Sequence, residues 1–518
     1  MTTSDVSPDV EARIGGVSLV GGSAWTAMRL IVPQFYVITT SILAARFLTP
    51  AEMGRQSYIA FIALSLTMLV TTGVPTAFQR VGGQALGKGQ HAQLAYLLSW
   101  SRRVEVVAAA IAGAVMATAA ALGSEPTAAW LLAGGVCVVG VLQSVPAAAL
   151  AVLQRWRGIS VTGVILGAVS TIAVAAVLAA GGGITGMFAV ELAVWSVGLG
   201  IAWSLARRAM AELGVRPVKS LDLRRHAIRW AVVSSFTGIL SFVVWRRSEF
   251  LFLNEFSADE QIAMFSIAFA AVTALTKPPE AVGMVLAPAF ATMSGARLSE
   301  RISGGYARGT RLLLFVSIPL TALAMAVGPT VIELAYGSAY SEAGTLFAIM
   351  APMVPLLSLV NVSRGLIVGV GRQRSLVAVG VFAAVSNLAL ALVLVQRFDA
   401  TGAAISNAAA QALAACAYIR ITRMLTGPTE LAPAAVARNA VAAATAGAAA
   451  WAACSALGAV PGALAGVAVF AAGYCGLATL LGVMSGDDGR WLAALLGERL
   501  AGRPRTVAHR LIMAFSRA

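Results

Sequence analysis

The residues of this sequence that could do chemistry are charged side chains inside long apolar runs. The positions of this kind are Arg29, Arg246, Arg247, Lys277, Arg364, Glu191, Glu249 and Glu280. An ionisable group among apolar residues is costly to retain, so each is a functional hypothesis by default. Because the bases outnumber the acids, the set favours an anionic ligand.

The spacing of these residues also allows a purely structural interpretation. Arg246 lies three positions before Glu249, and Lys277 three before Glu280, which puts both members of each pair on one helical face. Each pair could therefore neutralise itself. The two remaining bases near the ends of runs could extend to water instead, namely Arg247 and Arg364.

Composition decides which solvent surrounds these groups. The chain has 518 residues, of which 59% are hydrophobic and 11% charged, and its mean hydropathy is +0.84. A soluble domain would carry about 25% charged residues. The apolar runs reach the ~20 residues that a helix needs to cross a bilayer, and they lack the alternation of barrel strands. The sequence therefore predicts an all-α integral membrane protein.

Apolar runs of this length occur at fourteen places. The predicted spans are 19–45, 55–77, 104–123, 128–153, 159–180, 185–206, 230–253, 261–291, 309–335, 344–370, 375–396, 401–422, 436–457 and 461–484. The last two are rich in Ala and Gly and weakly separated.

The distribution of basic residues predicts the orientation. Most of the 37 Lys and Arg residues fall in alternate loops and in the tail, which marks these as cytoplasmic. Both termini are therefore expected in the cytoplasm. The net charge of +15 is explained by this asymmetry, so it is no argument for a nucleic-acid partner.

The sequence repeats itself once. LTPAEMGRQSYIAF (48–61) aligns with FSADEQIAMFSIAF (256–269), and GAVSTIAVAAVLAAGGGITG (167–186) aligns with AAVSNLALALVLVQRFDATG (383–402). Six crossings per copy give both copies the same orientation, as in transporters built from parallel repeats. The predicted regions are a cytoplasmic N-terminus 1–18, a six-helix lobe 19–206, a basic linker 207–229, a second six-helix lobe 230–424, two further helices within 436–484 and a basic cytoplasmic tail 485–518.

Several stretches resemble a known family. They are AARFLTPAEMG, TTGVPTAFQR, WRRSEFLFLNEF, MVLAPAFATMSG and VGVGRQRSLVAVGVFAAVSNLALALVLVQRFDATGAAISNAAAQ. Together they look like the polysaccharide-biosynthesis flippases of the Wzx type, in the multidrug/oligosaccharidyl-lipid/polysaccharide superfamily. The resemblance covers about residues 15–425.

The resemblance implies a MATE-like fold of twelve to fourteen helices in two lobes around a central cavity. It also implies translocation of an undecaprenyl-(pyro)phosphate-linked oligosaccharide by alternating access. A pyrophosphate suits the embedded bases, since Arg forms bidentate charge-assisted bonds and Lys acts as a point charge. In related lipid II flippases, bases on the first, second and eighth helices face the cavity, and Arg29, Arg80 and Lys277 lie on the corresponding helices here.

Energy coupling would use one of the three acids. Glu191 is the only one without a base within four positions, although its place near the outer end of a run also suits a solvated residue. No GxxxxGK[ST] phosphate loop occurs, so transport would be secondary or driven by a separate protein. The consecutive prolines Pro278 and Pro279 predict a hinge, or simply a bend, in the eighth span.

Other kinds of site find little support. The four cysteines stand singly without CxxC spacing, and neither a metal, a cofactor nor a catalytic group is expected. The loops are too short for an enzyme acting on such carriers. A drug or metabolite antiporter, a lipid II flippase and a non-transporting scaffold for envelope assembly stay open as alternatives. Expected partners are the lipid-linked oligosaccharide and membrane lipids, and a polysaccharide polymerase or glycosyltransferases are further candidates.

Overall fold

The computed structural model describes residues 16–122, 125–245, 248–295, 299–427, 432–490 and 515–517. In the first helix, the side chains are described from Val32 onward. Within the predicted basic tail 485–518, residues 491–514 and Ala518 lie outside the described residues. The chain forms two compact units, Met1–Arg246 and Arg247–Ala518.

The described chain is almost entirely α-helical, which confirms the predicted fold class. The helices of the first unit are α1 (Gly16–Phe47), α2 (Pro50–Thr71), α3 (Val74–Gly87), α4 (His91–Ala121), α5 (Thr127–Val152), α6 (Trp156–Ala179), α7 (Gly183–Ala211) and α8 (Leu221–Trp245). Those of the second unit are α9 (Glu249–Phe256), α10 (Asp259–Gly295), α11 (Ser299–Tyr336), α12 (Ser341–Met350), α13 (Met353–Gly369), α14 (Gln373–Thr426), α15 (Pro433–Leu457) and α16 (Ala459–Leu481). Two two-residue strands, Met484–Ser485 and Ser516–Arg517, pair in parallel.

The predicted number of fourteen spans is not confirmed. In the described part of the chain, ten helices are long and apolar enough to cross a membrane, or eleven if α12 and α13, bent by 46°, count as one span. Part of the difference comes from α14, which contains both of the predicted spans 375–396 and 401–422.

The short corner between α1 and α2 is built by a capping box. The Thr49 Oγ1 accepts a hydrogen bond from the Glu52 amide at 3.3 Å, and the Glu52 Oε2 accepts one from the Thr49 amide at 2.8 Å. The capping box thereby gives partners to the Thr49 and Glu52 amides, which the helix itself leaves unpaired. Pro50 suits the first helical position because proline has no amide hydrogen to satisfy. The residues between the first two predicted spans therefore form a tight turn between α1 and α2.

In the first unit, α8 packs against α2, α3 and α4. A Cβ on Gly73, between α2 and α3, would overlap the Ser235 hydroxyl, and one on Gly238 would overlap Thr72. Small residues thus let α8 cross the α2–α3 joint at close range, as is common in membrane bundles. The predicted repeat assigns the segment of α8 to the second copy, whereas its described contacts are with helices of the first unit.

The second unit is held together partly by polar contacts on α11 and α15. The Asn439 amide donates to the carbonyls of Leu314 and Phe315, both at 3.3 Å, and accepts a bond from the Tyr474 hydroxyl at 2.8 Å. Asp488, which is buried, pairs with Arg311 at 2.6 Å. These bonds tie α15, α16 and the segment after α16 to α11, so the two Ala- and Gly-rich helices are fixed to the second unit.

Helix α14 contains a sharp break that shapes the second unit. Asp399 has φ 47° and ψ −131°, so two helical arms meet there. Three residues later, a Cβ on Gly402 would overlap the carbonyl of Leu394. Only glycine allows the second arm to leave so close to the backbone of the first arm.

We expect Gly402→Ala to lower the stability of the protein by the equivalent of about 1–3 kcal/mol, because the backbone must shift to accept the methyl group. The midpoint of thermal unfolding in detergent measures this. Gly163→Ala in α6 is the matched control, since a Cβ there meets nothing within 4 Å. Equal midpoints for the two variants would contradict the close approach at Gly402.

Candidate functional site

Lys277 and Glu280 form an ion pair on one face of α10. The Lys277 Nζ lies 2.8 Å from the Glu280 Oε2, and their side chains are 16% and 45% exposed. The pairing matches the spacing of three residues seen in the sequence. Lys277 is therefore a largely buried cation with one carboxylate beside it, which reduces but does not remove its capacity to attract an anion.

The structure describes the side-chain surroundings of only some of the other predicted bases. Arg80 on α3 is exposed, and its guanidinium carbon lies 3.7 Å from the centroid of the Trp230 ring on α8, a cation–π contact. Arg364 on α13 is half-buried. The side chain of Arg29 on α1, and the whole of Arg246 and Arg247, lie outside the described residues.

The proline pair lies within α10, and Glu191 lies within α7. The helical assignment of α10 continues through Pro278, which is exposed, and Pro279, which is buried. A hinge at this place stays a prediction. Glu191 on α7 is half-buried and makes no hydrogen bond or ion pair with a described residue.

The third predicted acid, Glu249, lies in a buried polar cluster of the second unit. Glu249 begins α9 and is 0% exposed, and its neighbour Ser248 is 3% exposed. The two arms of α14 contribute Asn387 and Asn407, each 1% exposed, and Gln411 is 3% exposed. Helix α9 packs against α14, and the break at Asp399 lets both arms of α14 reach it.

Two hydrogen bonds link the elements of this cluster. The Asn407 Nδ2 donates to the Glu249 Oε1 at 2.6 Å, and the Asn387 Nδ2 donates to the Ser248 Oγ at 2.9 Å. The amide oxygens Asn387 Oδ1 and Asn407 Oδ1 are buried and have no hydrogen-bond partner among the described residues. One carboxyl group and two unpartnered amide oxygens thus occupy one buried place.

The chemistry of this cluster suits a small cation or a proton. Carboxylate and amide oxygens are hard ligands, and buried acceptors without donors are costly unless something binds them. Among the described residues, no three or more His, Cys, Asp or Glu side chains are grouped so that they could hold a metal ion. A bound cation would therefore depend on one carboxylate and on neutral oxygens.

The amides of this cluster were missed by reasoning from the sequence. The prediction considered only ionisable groups, and so it singled out Glu249 but passed over Asn387 and Asn407. A signal was available, because Ser-Asn occurs at 386–387 and again at 406–407, each time inside an apolar run. A buried amide in a membrane helix needs a partner as a charge does.

Comparison with known proteins shows which family the chain belongs to. The model of a family described as polysaccharide biosynthesis protein matches residues 42–345, more than half of the chain. The chain belongs to this family. No curated protein matches it in sequence. The resemblance to a polysaccharide-biosynthesis family predicted from the sequence is thereby confirmed.

Solved structures of transporters share the fold. A lipid II flippase, MurJ, in an inward closed conformation has a TM-score of 0.72 at 11% identity, covering 89% of this chain and 98% of that chain. A multidrug resistance MATE family transporter of the MOP superfamily, inward-facing, has a TM-score of 0.64 at 14% identity, covering 77% and 97%. A MATE structure in the straight conformation reaches 0.54 at 16% identity, covering 78% and 94%. The protein is therefore a multi-pass membrane protein with the flippase and transporter fold of that superfamily.

We expect Asn407→Ala to lower the thermal unfolding midpoint by the equivalent of about 1–3 kcal/mol, because the buried Glu249 carboxyl loses the hydrogen bond from the Asn407 amide. The double variant with Glu249→Ala should lose less than the sum of the two single variants, since their groups are in contact. The control is Thr445→Ala, an exposed hydroxyl bonded within its own helix. Additive losses at 249 and 407 would show that the two residues are not coupled.

Proposed function

We propose that this protein translocates an undecaprenyl-(pyro)phosphate-linked oligosaccharide across the bacterial cytoplasmic membrane, for the synthesis of a cell-surface polysaccharide. Transport proceeds by alternating access and is coupled to a cation or proton. Family membership supports the polysaccharide, and the flippase and transporter fold supports translocation. The charge asymmetry of the loops supports cytoplasmic termini.

The buried polar cluster around Glu249 is the observation that carries the proposal. Helices in lipid can associate closely through small residues, as Gly73 and Gly238 allow where α8 crosses the α2–α3 joint, so a carboxyl group with two amides is not required for packing. Polar groups placed inside a membrane bundle are costly and mark ion pathways. A scaffold would have no use for such a cluster, whereas a coupled transporter requires a site that binds an ion reversibly.

Among the three predicted coupling acids, the contacts favour Glu249. Glu280 is engaged by Lys277 at 2.8 Å, which leaves less negative charge for an incoming ion. Glu191 is only half-buried and has no polar side chain bonded to it among the described residues. Glu249 is 0% exposed and shares its site with neutral oxygens, an arrangement that binds and releases a cation.

The anionic head group of the substrate would be bound by embedded bases. The candidates that lie within described helices are Arg29, Arg80, Lys277 and Arg364, and Arg246 and Arg247 directly follow the last residue of α8 in the sequence. The Lys277–Glu280 pair offers a sharp test, because its members can be changed separately. A head-group ligand requires the cation alone, whereas a purely structural pair requires both members equally.

Cells depleted of the protein should accumulate undecaprenyl-linked sugar on the cytoplasmic leaflet. Wild type and Glu280→Ala should reverse this accumulation, whereas Lys277→Ala and Arg29→Ala should leave at least half of it, because they remove positive charge that binds the head group. Leaflet-specific labelling of the lipid-linked sugar measures the effect, with the level of each variant in the membrane checked in parallel.

Three results would redirect the assignment. An absence of sugar accumulation with a build-up of lipid II would indicate a lipid II flippase. Normal lipid carriers with loss of resistance to cationic compounds would indicate a drug or metabolite antiporter. Polysaccharide loss without any change in transport by the purified protein would indicate a scaffold for a polymerase or for glycosyltransferases.

The coupling ion should stabilise the wild-type protein through the Glu249 cluster. A ligand at a hundred times its dissociation constant stabilises the folded state by about 2.7 kcal/mol. We expect Na⁺, or protons if the site takes them, to raise the thermal unfolding midpoint of wild type in choline-based buffer, and Glu249→Gln to abolish the rise. Glu260→Gln, an exposed acid, is the control. An undiminished rise in Glu249→Gln would place the ion elsewhere.

A further inference from the structure

A second buried carboxyl group lies in the first unit, where the sequence predicted none. The third span was predicted to begin at residue 104, which put Glu105 at its edge and left it out of the embedded acids. Helix α4 instead begins at His91 and has 31 residues, so Glu105 lies near its middle. The side chain is buried, with 3% exposed, between α4 and α5.

One oxygen of Glu105 is held by two donors on α5. The Oε1 atom accepts hydrogen bonds from the Ser144 hydroxyl and from the Val145 amide, both at 2.7 Å. The next residue, Pro146, has no amide, and its ring disturbs the backbone one turn earlier. The Glu105 carboxyl therefore supplies an acceptor at the point where α5 carries a proline.

The other oxygen of Glu105 is buried and has no hydrogen-bond partner among the residues that the structure describes. The Oε2 atom makes no hydrogen bond with a described residue, and neither does the buried hydroxyl of Ser101, one turn earlier on the same face of α4. No basic side chain in the described residues pairs with Glu105. An ionised carboxylate in this place would be an uncompensated buried charge, which costs several kcal/mol.

The helices that pack on α4 bring no cation to this carboxyl. Helix α5 contains no Asp, Glu, Lys, Arg or His. Arg80 on α3 lies over Trp230, and Arg102 on α4 lies 5.8 Å from the centroid of the Trp203 ring. The other Asp, Glu, Arg, His and Tyr side chains on these helices make no hydrogen bond or ion pair with Glu105. They are Glu52, Arg55 and Tyr58 on α2, His91, Tyr96 and Arg103 on α4, and Asp222, Arg224, Arg225, His226 and Arg229 on α8.

We propose that Glu105 is a proton-binding site of the first unit, which holds a proton on Oε2 and exchanges it with the solvent when α4 and α5 separate. A proton fits better than a metal ion. Both donors already point at Oε1, so a cation would find only Oε2 and the Ser101 oxygen, far fewer than the six oxygens that hard cations take. Proton uptake converts the carboxylate to the neutral acid, and release returns it.

The site has a mechanical consequence. The neutral acid joins α4 to the turn of α5 that precedes Pro146, whereas the charged form favours an opening that admits water. Proton exchange at Glu105 therefore requires movement of α5 against α4. Proton binding itself goes beyond the proposed transport function and does not depend on it, although any coupling of this movement to translocation rests on that function.

Infrared difference spectroscopy tests the proposal on the purified full-length protein in lipid. Raising the pH should deplete the carbonyl stretching band of a protonated carboxylic acid and increase the carboxylate bands. We expect Glu105→Gln to lose this feature, because the amide keeps the acceptor for Ser144 and Val145 but cannot titrate. Glu260→Gln, an exposed acid, should keep it.

A second variant keeps the test decisive if Glu105→Gln folds poorly. Ser144→Ala removes one donor to Oε1 but leaves the acid, so the band should shift in frequency and persist. Difference spectra of Glu105→Gln identical to those of wild type, or a band that Ser144→Ala does not move, would overturn the assignment. The spectra require no substrate, so a failure of the flippase function would leave this result unaffected.

Discussion

Lipid offers no hydrogen-bond partners, and the rest of this structure depends on that constraint. A helix satisfies its own backbone, so the bundle can be assembled from apolar runs with small residues where helices cross closely, as at Gly73 and Gly238. Where the helical hydrogen-bond pattern is interrupted, polar side chains bond to the backbone groups that the helix leaves unpaired. The Glu105 carboxyl accepts a hydrogen bond from the Val145 amide beside Pro146, and the Glu52 carboxyl accepts one from the Thr49 amide at the start of α2.

The same constraint separates packing from function. Most buried side chains here are apolar, chiefly those of Ala, Val and Leu, and one buried ion pair, Asp488 with Arg311, adds to their packing. Two further buried acids, Glu105 and Glu249, lie outside that ion pair. Each is bonded to neutral donors, on α5 and on α14 respectively, and each lies in a different unit. A protein built in this way can carry two titratable or ion-binding sites, each based on a single carboxyl group.

Much of the fold could be predicted from the sequence, because the length and hydropathy of apolar runs are set directly by the bilayer. The places where bends and breaks divide those runs into separate helices could not be predicted. The 46° bend between α12 and α13 and the break at Asp399 depend on local backbone geometry, which hydropathy does not report. For the site, the sequence identified Glu249 and the Lys277–Glu280 pair, since charge and spacing are visible in it. It missed Asn387, Asn407 and Glu105, because burial of a polar group is decided by which helices meet.

The break in α14 also bears on how the protein is made. Glu249 and Asn407 are 158 positions apart, so the acid is synthesised and enters the membrane long before its donor exists. At ordinary rates of translation this interval is on the order of 10–30 s. During that time the nascent chain carries the Glu249 carboxyl without the Asn407 amide that later donates to it. The second arm of α14 completes the site last, which makes assembly of the cluster a natural checkpoint for quality control of the whole chain.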